Sequence, residues 1–222
     1  MAYTWVIFET IGTVAFAFSG ALVGLSKRMD VFGITVLAVL TAVGGGMLRD
    51  TIIGFTPPSA LIDIRWIAIA VGVSLFVCVG YRLFHFSRRE KKVLIAIYNV
   101  SDLFGLASFA VTGATLALRV FPERHVTLPV LLGLLTAVGG GVMRDLLAQR
   151  VPIVLRADFY AMAAILGSLF LSLLWRIMPH DIAAWMAFFF VVVLRACALR
   201  YGWQLYHPAS RRGCHPDGGL KS

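Results

Sequence analysis

Two stretches of this chain, TAVGGGMLRD over 41–50 and TAVGGGVMRD over 136–145, hold three glycines, an arginine and an aspartate at identical spacing in strongly apolar surroundings. Gly44, Gly45 and Gly46 correspond to Gly139, Gly140 and Gly141, Arg49 to Arg144, and Asp50 to Asp145. A further carboxylate stands upstream of each copy, Glu9 before the first and Asp102 before the second. Charges inside an apolar span are costly and usually face a bundle interior or water. Two carboxylates against one arginine leave each copy net negative, and clusters of Asp and Glu favour cations in channels. The alternative is structural: ion pairs that lock helices together and conduct nothing.

The glycines bear on the same question. Glycine is disfavoured by about 1 kcal/mol relative to alanine inside a helix, so a triplet marks a place for the helix to kink or open. At about 1.5 Å per residue from Val31, the first triplet lies roughly 20 Å along its span, inside the hydrocarbon. Backbone opened there must line a wet cavity or be buried in protein, and inverted-repeat transporters put their sites at matching broken helices. Small residues also let helices pack closely. That second reading suits SGALVG and TGATLA in the first and fourth apolar segments.

The elements that must position these residues follow from composition. The chain has 222 residues, 59% of them hydrophobic and 14% charged, too apolar to cover a soluble globule with polar side chains. Apolar segments near 4–25, 31–53, 64–81, 96–118, 127–149, 158–175 and 182–200 are each about as long as a spanning helix. Stretches such as VFGITVLAVLTAVGGGML are apolar on all sides and lack the alternation of barrel strands. The expected fold is an all-α membrane protein of seven transmembrane helices. Ala15-Phe16-Ala17 loosely imitates a signal-peptidase site, but no Lys or Arg precedes the segment and a related one recurs later in the chain.

The correspondence extends past the motif: Pro57 falls on Pro152, Asp63 on Asp158, Gly12 on Gly105 and Gly20 on Gly113. Each copy holds three spans, and because three is odd the second enters the membrane from the opposite face, giving a 3+3 inverted repeat plus one extra helix. The expected divisions are 1–92 for the first repeat, 93–178 for the second, 179–205 for the seventh helix and 206–222 for a flexible polar tail. Glu9 and Arg49 then share one membrane depth, and Asp102 and Arg144 share the mirrored depth at the other end.

Lys27, Arg28, Arg82, Arg88, Arg89, Lys91, Lys92, Arg150, Arg156, Arg211, Arg212 and Lys221 gather on one side, against Arg65, Arg119, Arg124 and Arg176 on the other. The positive-inside rule puts the amino terminus outside and the carboxyl terminus in the cytoplasm. The net charge of +9 is accordingly a topology signal and an attraction to anionic lipids on the cytoplasmic side. It does not indicate nucleic-acid binding, because the basic residues are divided among short loops with no recognisable module. Cys78, Cys197 and Cys214 form no CxxC pair, and His85, His125, His180, His207 and His215 are scattered over loops and tail. No metal site, cofactor or enzymatic constellation is expected.

Three helices, an inverted copy and one extra helix, with GGGxxRD in spans two and five, resemble the TRIC family, the trimeric intracellular cation channels and their prokaryotic relatives. The resemblance runs to about Trp203. It implies a homotrimer in the cell membrane, each protomer carrying a water-filled pore kinked at the glycines of spans two and five and passing K+ or Na+. The glycine and Arg-Asp positions named above carry over. Some bacterial relatives are linked instead to glycine uptake, which keeps a secondary transporter of a small amino acid open beside the channel.

Overall fold

The computed structural model describes residues 2–83, 90–123, 126–156 and 158–203. The positions expected to be basic at Arg88, Arg89 and Arg124, the histidines His85 and His125, and everything after Trp203 lie outside the described residues, as does the Lys91 side chain.

The described elements are helical: α1 (Ala2–Ser26), α2 (Val31–Ile52), a single turn α3 (Ser59–Ile62), α4 (Arg65–Leu83), α5 (Glu90–Val120), α6 (Thr127–Leu147), a 3-10 turn (Ile153–Leu155), α7 (Asp158–Leu174) and α8 (His180–Tyr201). Six of them, α1, α2, α4, α5, α6 and α8, are long and apolar enough to cross a bilayer, and α7 is a shorter apolar helix of 17 residues. Local chemistry sets the ends. The Asp30 side chain caps α2 by accepting from the Gly33 N–H at 2.7 Å. Gly202, in the left-handed region at φ 62°, closes α8.

The two three-helix units, α1-α2-α4 and α5-α6-α7, make matching internal contacts, and they join through α1 against α5 and α2 against α6. The seventh spanning helix, α8, lies outside this symmetry and packs on α5 and α7. At the centre Phe16 of α1 and Phe109 of α5 meet edge to face, ring centroids 5.2 Å apart. Each ring occupies space that a side chain would fill: a Cβ on Gly12 would come within 2.7 Å of the Phe109 ring, and one on Gly105 would overlap Phe16.

The glycine triplets do not open their helices. Helical structure runs without interruption through Gly44–Gly46 in α2 and through Gly139–Gly141 in α6. The physical reason is packing. A Cβ on Gly45 would fall far inside contact distance of the Thr136 carbonyl oxygen, and one on Gly140 would do the same to the Thr41 carbonyl oxygen. The two triplets therefore form a reciprocal close crossing of α2 on α6. Gly20 and Gly113 serve likewise, with a Cβ on Gly20 standing 2.8 Å from the Ala38 Cα and one on Gly113 2.9 Å from the Gly133 Cα.

Candidate functional site

Beyond the triplet, Arg49 and Arg144 each turn into the bundle and organise an ion cluster at one end of it. The two clusters are separated along α1, which passes from Glu9, beside Arg49, to Ser19, beside Arg144, a rise of about 15 Å for an α-helix.

At the first end Arg49 Nη1 lies 3.4 Å from Glu9 Oε1, and its Nη2 2.9 Å from Asp50 Oδ1. The second Asp50 oxygen accepts from the Ser59 N–H at 2.9 Å and the Ser59 hydroxyl at 2.5 Å. Asp50 thus ties α2 to α3, the turn that follows Pro57 and Pro58. Trp5, one turn before Glu9, presents its ring to the guanidinium at 5.8 Å. A cavity of about 350 Å³ reaches this cluster, and Trp5, Glu9, Arg49, Asp50, Asp63 and Arg65 are among the residues that line it. Asp63 accepts from Arg65 Nε at 2.8 Å, and this hydrogen bond holds its carboxyl below the ordinary carboxylate value.

At the second end the same parts close more tightly. Arg144 Nη1 donates to Asp102 Oδ1 and to the Ser19 hydroxyl, each at 2.5 Å, and its Nε donates to Asp145 Oδ1 at 3.0 Å. The other Asp145 oxygen accepts from the Ile153 N–H at 3.0 Å, the counterpart of the bond from Asp50 to Ser59. Tyr98 stands before Asp102 as Trp5 stands before Glu9, with its ring 5.1 Å from the guanidinium. The Arg144 side chain is 0% exposed and that of Asp102 5%, against 4% for Arg49 and 14% for Glu9. Arg144 Nη2 is buried without a hydrogen-bond partner, and it and the buried Tyr160 hydroxyl both lie beside Gly141, whose Cβ position is 3.7 Å from the first and 3.2 Å from the second.

The expected pairs, Glu9 with Arg49 and Asp102 with Arg144, are therefore brought together. Asp50 and Asp145 do more than balance charge: each fixes the backbone of the turn after its helix, a role that Pro57 and Pro152 signal in retrospect. The cavity at the first end is lined by the carboxylates of Glu9, Asp50 and Asp63 and by Arg49 and Arg65. The cavities of about 500 and 440 Å³ at the second end are lined by Arg28, Arg150 and Arg156 with Asp145 as the carboxylate. Their arginines come from loops that follow α1, α6 and the 3-10 turn, on the side where the basic residues are expected to gather. Sequence reasoning also passed over Arg195 of α8, which is buried with its guanidinium 4.9 Å from the Tyr160 ring. An arginine amid FFFVVVLRACALR was the available signal. Ser19, Tyr98 and Trp5 carried none by residue type. His180 stacks on Trp175 at 4.1 Å, and among the described residues no group of three or more His, Cys, Asp or Glu converges as a metal site would require.

A family model described as Glycine transporter matches residues 6–82 and again 99–176, one match per three-helix unit. A solved structure described as a prokaryotic TRIC channel in 0.5 M KCl is 31% identical and superposes with a TM-score of 0.83, covering 92% of this chain and 100% of that one. This chain is a prokaryotic member of the TRIC family. A second solved structure, described as the structural basis for conductance through TRIC cation channels, is 37% identical with a TM-score of 0.79, covering 93% of this chain and 98% of that one. The UPF0126 membrane protein YvgT of Bacillus subtilis is 35% identical over 90% of this chain and 95% of its own length. The TRIC fold accounts for the inverted repeat, and this chain is accordingly a multi-pass membrane protein.

Proposed function

We propose that this TRIC protein is a cation channel with potassium as its principal permeant and sodium also passing, and that each protomer of a homotrimer conducts between α1, α2, α5 and α6. The observation that carries the reading is the cavity at the Arg49 end, where the carboxylates of Glu9, Asp50 and Asp63 face Arg49 and Arg65 alone. A wet, net-negative vestibule concentrates cations, and partial pairing with arginine keeps each binding step weak enough for release. The description of the similar solved structures as cation channels supports it. Within this reading Gly44–Gly46 and Gly139–Gly141 let the pore-bordering helices move against each other, and Arg49, Asp50, Glu9, Arg144, Asp145 and Asp102 border the ion path. The amino terminus lies outside and the carboxyl terminus in the cytoplasm, so that Arg28, Arg150 and Arg156 meet anionic lipid headgroups.

The test is reconstitution of the purified protein in planar bilayers under a KCl gradient. Unitary currents reversing near the potassium potential are expected, and crosslinking in mild detergent is expected to give a ladder ending at three. Anion-selective currents, or a ladder ending at two, overturn the corresponding part. A second reading, secondary transport of a small amino acid, is favoured by the Glycine transporter family model. It predicts saturable uptake of labelled glycine at carrier rates in place of unitary currents.

A further inference from the structure

Glu9 and Arg49 both line the cavity at their end, whereas Asp102 and Arg144 line neither cavity at theirs. The side chain common to both cavities at the second end, apart from Arg150, is Tyr98. Its ring lies against the Arg144 guanidinium, so one face meets the buried cluster while the residue also borders the open space beyond. Trp5 occupies the same place in the first repeat and lies against Arg49 at a looser 5.8 Å, yet leaves Arg49 and Glu9 in contact with their cavity. Each repeat therefore lays an aromatic ring against its arginine, and only at the second end do the arginine and its upstream acid stand apart from the cavities that the ring borders.

We propose that Tyr98 is the gating side chain of the Arg144 end, a ring that stands between the Arg144–Asp102–Ser19 cluster and the cavities beyond it. This rests on the permeation reading above for its purpose, though not for its geometry. The closed arrangement carries a cost that favours release: Arg144 Nη2 is buried without a partner, and water admitted past the ring would satisfy it. A cation entering from the Arg49 end would then find Asp102 hydrated and competing with it for Arg144, so ring movement and ion passage are coupled.

The experiment places a reporter thiol behind the ring, Ser19→Cys, in protein carrying Cys78→Ala, Cys197→Ala and Cys214→Ala and reconstituted in liposomes. Its reaction with a small charged methanethiosulfonate reagent follows the fraction of time the ring is open. With Tyr98 present the thiol is expected to react slowly. Tyr98→Ala is expected to raise the rate by about tenfold, from the Arg144 side only, and to raise potassium efflux severalfold. Tyr98→Phe, which keeps the ring, restores the slow rate. Tyr98→Leu is the second variant should the alanine form fail to assemble, with an expected rise of about threefold. Equal rates in the ring-bearing and ring-less proteins, or a fast rate with Tyr98 in place, overturn the gate. Accessibility that follows the ring in a protein passing no potassium leaves the gate standing and overturns the channel reading instead.

Discussion

The Glu9–Arg49 and Asp102–Arg144 clusters are built from the same motif and differ in how far they are closed. In the first, a glutamate 3.4 Å from its arginine is partly exposed in a cavity. In the second, an aspartate 2.5 Å from its arginine is joined by a serine hydroxyl from the other repeat, with Tyr98 against the arginine. The hydroxyl's counterpart in the first end is Thr112 of α5, which faces Glu9. Sequence symmetry therefore does not impose structural symmetry here. Small local differences, Glu for Asp, Thr for Ser and Trp for Tyr, accompany a looser pair at one end and a tighter one at the other, and a buried ion pair gains or loses steeply with its distance and hydration.

The comparison breaks first at the arginines. Arg144→Gln strips a fully buried aspartate of its partner and is expected to cost about 3–5 kcal/mol, the range for breaking a buried pair. Arg49→Gln strips the buried Asp50 of its partner but leaves Glu9 beside a cavity, and should cost less than Arg144→Gln. Denaturant or thermal unfolding in detergent measures both, and double-mutant cycles with Asp102→Asn and Glu9→Gln should give the larger coupling at the Arg144 end. Equal losses would mean that the two clusters are energetically alike despite their geometry.

A second measurement probes the place where the halves should be equal. Gly45→Ala and Gly140→Ala each drive a methyl into a carbonyl oxygen of the facing helix, a backbone atom that cannot rotate away. Each is expected to cost about 2–3 kcal/mol and to lower flux, the two agreeing within about 0.5 kcal/mol. A large difference between them would put the pseudo-symmetry axis elsewhere.

The smallest effect sharpens the contrast at the turns after α2 and α6. Gly54 has φ 81°, and Gln149, in the equivalent place, has φ 51°, where a side chain costs about 1–2 kcal/mol. Gln149→Gly is expected to raise stability by about 1 kcal/mol and Gly54→Ala to lower it by a similar amount. Changes of the same sign would show that contacts of the Gln149 side chain outweigh its backbone strain.

Much of this was legible in the residues. Apolar length marked the spans because a bilayer demands uninterrupted helices of fixed reach. The doubled GGGxxRD marked the inverted repeat, and depth counting along α1, α2, α5 and α6 paired each arginine with its acid. The glycines misled, because the same absence of a side chain permits either a helix break or a close crossing, and the facing Thr41 and Thr136 carbonyls are invisible in sequence. The short turns after Asp50 and Asp145 were hidden for a related reason: four residues and three residues of helix have no periodicity to read.

The sequence by itself determined that the chain is a helical membrane protein, that it is built twice in opposite senses, and which acids and arginines lie at matching depths. These are properties of composition, spacing and helical rise, and they need no knowledge of neighbours. Only the tertiary structure decided that Ser19 crosses to Arg144, that Tyr98 and Trp5 lie against Arg144 and Arg49, that Arg49 borders a cavity, and that Arg195 comes from α8 to Tyr160. Those outcomes depend on how α1, α5, α6, α7 and α8 pack, where shifts of an ångström separate an ion pair closed to water from one bathed in it.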